Sequence, residues 1–115
     1  DLAERIIDQG TCMEALLIDE KNDSGEIKNK VCTRAAWMLG DNFASRKRVY
    51  DIAADLYNGR SKAVHTGVMP KSSLKTDMSK LEMPATIHDR LCSDLIMKTL
   101  SASAWPKWTE LVLGG

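Results

Sequence analysis

An all-α fold is what this sequence predicts: an up-and-down bundle of four helices with a short fifth helix at the C-terminus. Three observations predict it. Apolar residues recur at three- and four-residue spacing through most of the chain. No stretch alternates for long enough to make a strand. Turn and capping residues separate four periodic segments, and at 115 residues the chain forms one domain with one modest core.

The first helix is expected from Leu2 to Ile18, with Leu2, Ile6, Met13, Leu16 and Leu17 inward and Gly10 a local weak point worth about 1 kcal/mol against Ala. A polar loop follows from Asp19 to Gly25. Asp23 stands three residues before Glu26, the spacing of a capping box, and predicts the start of a second helix. That helix presents Ile27, Val31, Ala35 and Met38, with Gly40 as its stop. Asp41 or Asn42 caps a third helix running to about His65, and Thr66-Gly67 and Pro70 end it. Residues 66–82 read as a polar loop, with 68–80 expected to be the least ordered internal segment because so little of it is apolar. Pro84 opens a fourth helix to about Leu100, with Ile87, Leu91, Leu95 and Ile96 buried and His88 on its polar side. Trp105 to Val112 forms the short fifth helix.

Sixteen basic residues balance sixteen acidic ones, which excludes a globally basic nucleic-acid binder. The balance is local. Residues 41–83 hold eight Lys/Arg against five Asp/Glu, from Arg46-Lys47-Arg48 to Lys80. Such an excess is either a solvated surface or a local binding patch. Cys12, Cys32 and Cys92 are odd in number and scattered, which argues against a disulfide scaffold and fits a reducing cytoplasm. With only His65 and His88 available no zinc spacing exists, so neither a metal nor another cofactor is expected. No apolar run approaches bilayer length, so no membrane partner is expected. The chain starts at Asp1 rather than Met, as a fragment would, which leaves room for it to be the C-terminal part of a longer protein.

One position breaks the helical pattern. The third helix carries Val49, Ile52, Ala53 and Leu56 on one stripe, then Arg60, then Ala63 and Val64. A guanidinium keeps its proton, so that face must meet an anion, open onto a cleft, or be completed by a second subunit. Arg60 then either braces the fold through Glu14 or Asp55, or serves a site. His65, five residues later, is either a C-terminal helix cap or an acid–base group. Residues five apart point about 140° from each other on a helix, so the two do not share a face unless a dimer cleft or unwinding near Gly67 lets them converge. Trp37, Trp105 and Trp108 read as core.

The segment Leu56-Tyr57-Asn58-Gly59-Arg60-Ser61-Lys62-Ala63-Val64-His65-Thr66-Gly67 resembles the end of the third helix in Apea-like HEPN domains. Other segments agree in order. Met13-Glu14-Ala15-Leu16-Leu17 looks like the family's first-helix stretch, Arg34 to Gly40 like its second-helix signature, and Trp108 to Gly115 like its usual ending. The resemblance covers nearly the whole of residues 1–115. It implies an all-α bundle that pairs as a homodimer. Many relatives are metal-independent ribonucleases with Arg-x4–6-His at the dimer cleft, and others are non-catalytic modules in defence or toxin–antitoxin systems. Carried onto this sequence, it makes Arg60 and His65 the catalytic pair and Glu14 an orienting carboxylate. Ser61 and Lys62 would contact RNA phosphate. Tyr57 would stack on a base, or else lie in the core or the dimer interface. RNA and an antitoxin or fused domain are the implied partners. Ser61 stands where ribonuclease members often carry Asn, Asp or His, and Thr66 separates His65 from Gly67.

Overall fold

The structure is a computed structural model, and it describes residues 2–19, 23–67, 84–102 and 107–108. Four helices account for nearly all of these: α1 (Leu2–Leu17), α2 (Ile27–Leu39), α3 (Phe43–Thr66) and α4 (Pro84–Ser101). Among the described residues there is no strand. Each helix touches the other three, with the most extensive contacts between α3 and its neighbours α2 and α1. The shared core is built from Ile6, Met13 and Leu17 of α1, Val31, Cys32 and Ala35 of α2, Ala53, Leu56 and Ala63 of α3, and Leu91 and Leu95 of α4. Small residues at Ala35, Ala53, Gly59 and Ala63 let the helix backbones approach closely. No helix among the described residues is long and apolar enough to cross a membrane.

The helix boundaries follow local chemistry. α3 begins with the capping box of Asn42 and Ser45. The Asn42 side chain accepts from the Ser45 amide at 2.9 Å, and the Asn42 amide donates to Ser45 Oγ at 3.1 Å. It ends at Gly67, whose φ of 70° lies in the left-handed region and whose amide donates to the Ala63 carbonyl at 2.7 Å. At the end of α2 the requirement for glycine is different. Gly40 is extended, but a Cβ there would stand 2.7 Å from the Arg46 amide nitrogen and 2.8 Å from the Ala36 carbonyl.

Several expectations are corrected. The capping box expected at Asp23 does not form. Glu26 occupies the N-cap of α2 at φ 51° with no side-chain cap. Asp23 is drawn instead to Arg34, which donates to its two carboxylate oxygens at 2.7 and 2.9 Å. The Asp19 amide donates to the same carboxylate at 2.8 Å. Leu2 is 52% exposed and Leu16 is half-buried. Val64 and Ile96 are exposed rather than inward. His88 is not a surface residue but fully buried. The reason is periodicity: His88, Leu91, Cys92 and Leu95 lie at the spacing of one helix face, and Ile96 falls outside it. His88 Nε2 lies 2.9 Å from Asp55 Oδ2, and its Nδ1 has no hydrogen-bond partner among the described residues.

Trp108 packs against the core with Arg34 5.2 Å from its ring centre. Trp37 is half-buried. Trp105, most of the expected fifth helix and the loop segment 68–80 lie outside the described residues. The described cysteines are free thiols. Burial pushes Cys32 up to about 11 and Cys92 up to about 12.

Candidate functional site

The site is built where α1 crosses the C-terminal half of α3. Gly10 and Glu14 sit one turn apart on α1, so both present to the same side of that helix. The missing side chain at Gly10 leaves a slot, and the stem of Arg60 fills it. A Cβ on residue 10 would come within 2.9 Å of Arg60 Cβ and 3.0 Å of its Cγ, and closer still to Cδ. The slot carries the guanidinium to Glu14, where Nη1 pairs with Oε2. The same nitrogen also donates to the Gly10 carbonyl at 3.4 Å. Arg60 therefore meets an anion, as its place in the stripe demanded. That anion is Glu14 rather than Asp55, which faces His88.

The pair is not sealed into the core. The Arg60 and Glu14 side chains are 27% and 34% exposed, and both line an open cleft of about 370 Å³ with Thr11, Ala15 and Ile18. A guanidinium has five N–H donors. Nη1 makes both contacts, which leaves the Nη2 and Nε donors without a protein partner among the described residues. The cleft thus presents a planar donor group whose charge is balanced by Glu14, with its Nη2 and Nε edges left to donate to the oxygens of an anion.

The remaining candidates lie on the outer surface of α3. Ser61, Lys62 and His65 are exposed, and Tyr57 is half-buried against the core. The helix stays regular through Thr66, so it does not unwind to bring His65 onto Arg60. Val64, 58% exposed, lies between them on the helix surface. Within the chain Arg60 and Glu14 are brought together, whereas His65, Ser61 and Lys62 are not brought onto that pair. Among the described residues, no group of three or more His, Cys, Asp or Glu side chains is disposed to hold a metal ion.

Two features escape a reading of sequence pattern. Gly10 reads as a helix weakness but is the seat of Arg60. The signal was there, since a glycine inside a helix at a packing position marks close approach. The burial of His88 follows from its place on the α4 stripe with Leu91 and Leu95, whereas its pairing with Asp55, away from the cleft, depends on how α4 meets α3. A further polar cluster joins the start of α1 to α4. Asp89 pairs with Arg5 and accepts from Gln9, and Gln9 also donates to the Ala85 carbonyl at 3.3 Å. Comparison with protein families, with curated proteins and with solved structures finds no match for this chain.

Proposed function

We propose that this domain is a metal-independent endoribonuclease of the HEPN type. It acts as a homodimer in a defence or toxin–antitoxin setting in the cytoplasm, on an up-and-down four-helix bundle closed by a short fifth helix. The observation that carries the reading is the Arg60–Glu14 pair at the mouth of an open cleft, on the helix whose last turn exposes His65.

The chemistry needs no metal because RNA supplies its own nucleophile. A 2′-hydroxyl attacks the adjacent phosphorus when a base takes its proton, and the P–O5′ bond breaks as an acid protonates the departing 5′-oxygen. Imidazole serves both steps near neutral pH. Arg60 holds the non-bridging oxygens as charge accumulates on them, and Glu14 fixes the direction of the guanidinium. Two copies facing each other across a two-fold axis supply one His65 as base and the other as acid. The dimer also answers the divergence of Arg60 and His65 within one chain, since the partner's helix end completes the cleft. Ser61 and Lys62 contact the flanking phosphates. An antitoxin or a fused domain is the protein partner that would restrain such an activity.

A second reading has one observation in its favour. Glu14 and the Gly10 carbonyl already engage Arg60 within the fold, as they would in a brace. The domain is then a non-catalytic HEPN dimerisation module, or one that binds nucleotide or RNA without cutting it. Substitution separates the two. In the ribonuclease, His65→Ala abolishes RNA cleavage with fold and dimer intact. Arg60→Lys is severely impaired because lysine lacks the planar fork. In the brace, Arg60→Lys lowers stability and neither variant changes an activity, because there is none.

A further inference from the structure

Phe43, Lys47, Tyr50, Tyr57, Ser61 and His65 follow one another along α3 at steps of three, four or seven residues. Between residues 43 and 65 the face they form drifts by only about 40° while the helix rises about 33 Å. Phe43 and Lys47 at one end of α3 and Ser61 and His65 at the other therefore lie within about 40° of one another around the helix, with Tyr50 and Tyr57 between them packed against the core.

At the N-terminal end this face opens into a groove of about 420 Å³ between α2 and α3, lined by Trp37, Phe43, Arg46, Lys47 and Tyr50 among others. Its floor is rigid. The Arg46 stem passes over Gly40, where a Cβ would stand 2.6 Å from Arg46 Cγ. The guanidinium carbon then rests 3.7 Å from the centre of the Trp37 ring. The Tyr50 hydroxyl is tied to the Asn29 side chain at 3.2 Å. Its rim is free. The Phe43 ring is 80% exposed at the first position of α3 and contributes nothing to the core. Among the described residues Lys47 is held by an exposed pair with Asp51 at 3.1 Å, the kind of contact that exchanges readily for another anion.

An exposed ring, a guanidinium stacked on indole and a loosely held lysine in one groove match what single-stranded nucleic acid needs. Such strands bind through base faces on aromatic and guanidinium planes, with cations along the backbone. A duplex hides its base faces and fits this groove poorly. We infer that the Trp37–Arg46–Phe43 groove is a second RNA-binding site. It takes an unpaired base and the adjoining phosphate of the same strand whose scissile bond lies at Arg60 and His65. This inference deepens the ribonuclease reading and rests on it.

The test measures binding apart from cutting. In the His65→Ala protein, anisotropy of a fluorescent single-stranded RNA of about 12 nucleotides reads affinity directly. Adding Phe43→Ala weakens binding roughly 5- to 150-fold, the range for loss of one stacked base, with the melting temperature unchanged because the ring is exposed. Adding Lys47→Gln instead lowers the slope of log affinity against log salt by about 0.7, the share of one phosphate contact. Phe43→Ala binding as tightly as its parent, or an RNA duplex of equal length binding as well as the single strand, overturns the inference. If wild type still cleaves RNA in that case, the groove alone is refuted. Wild type that neither binds nor cleaves removes the ribonuclease reading with it.

Discussion

Substituting Gly10 by Ala sets two effects of known size against each other. In an open mid-helix position the change would stabilise the protein by about 1 kcal/mol. Position 10 is not open. The new Cβ would fall 2.9 Å from Arg60 Cβ and 3.0 Å from Cγ, and closer to Cδ. Cδ can swing aside by a change of rotamer. Arg60 Cβ cannot, because the backbone of α3 fixes it. Either α1 and α3 separate slightly or the arginine leaves its slot, and overpacking of this kind costs about 1–3 kcal/mol. Loss of the partly exposed pair with Glu14 adds at most about 1 kcal/mol. After the helix-propensity gain is subtracted, the net expectation is a loss of about 0–3 kcal/mol, centred on about 1.5 kcal/mol. Urea denaturation followed by helical circular dichroism reads this as a midpoint lowered by roughly 1 M, given slopes of about 1–3 kcal/mol per M. In an Arg60→Ala background the Cγ and Cδ contacts vanish, and Gly10→Ala should cost at least about 1 kcal/mol less. A Gly10→Ala protein more stable than wild type would refute the seating of Arg60 over Gly10, because propensity alone predicts that outcome.

Three further expectations follow from other parts of the molecule. The Arg34 guanidinium beside Asp23 holds its carboxyl well below the ordinary value of 3.8. The pair therefore contributes its full stability above that pH and loses it as pH falls below, so Asp23→Asn should cost roughly 2 kcal/mol at pH 7 and progressively less in acid; an equal cost at pH 7 and pH 2 would contradict this. Cys32 and Cys92, with thiols raised by burial, should react with a disulfide reagent at pH 8 only as fast as the protein opens, and Cys12 should react first; three equal fast rates would be inconsistent with the fold. Sedimentation should find a two-fold homodimer formed through α3 and α4, where Val64, Ile96, Met97 and Leu100 are exposed apolar residues; a clean monomer at high micromolar concentration argues strongly against it.

What the sequence makes legible is what depends on local periodicity and capping. The four helices are of that kind, because each carries its own apolar stripe, and at α3 the end signals of Asn42 and Gly67 act where the sequence predicts. Arg60 as a charge in an apolar stripe was legible for the same reason, and so was Glu14 as a candidate partner. What escaped depends on which elements meet. Asp23 has the spacing of a cap, yet a guanidinium from α2 offers its carboxylate more than the helix end does. Gly10 looks like a local defect until α3 is laid across it. His88 looks polar by residue type, whereas its position on the α4 stripe commits it to the interior and to Asp55. The groove at Trp37 and Arg46 joins residues from two helices, and no spacing within either one announces it.

The proposed cutting of RNA at Arg60 and His65 by the substrate's own 2′-hydroxyl can be read by incubating purified protein with RNA in excess EDTA and identifying the new 3′ ends. Wild type should cleave in EDTA and leave ends bearing a 2′,3′-cyclic phosphate or its hydrolysed product, and folded, dimeric His65→Ala should not cleave. Intact RNA with wild type, or cleavage that persists unchanged in His65→Ala, would contradict it.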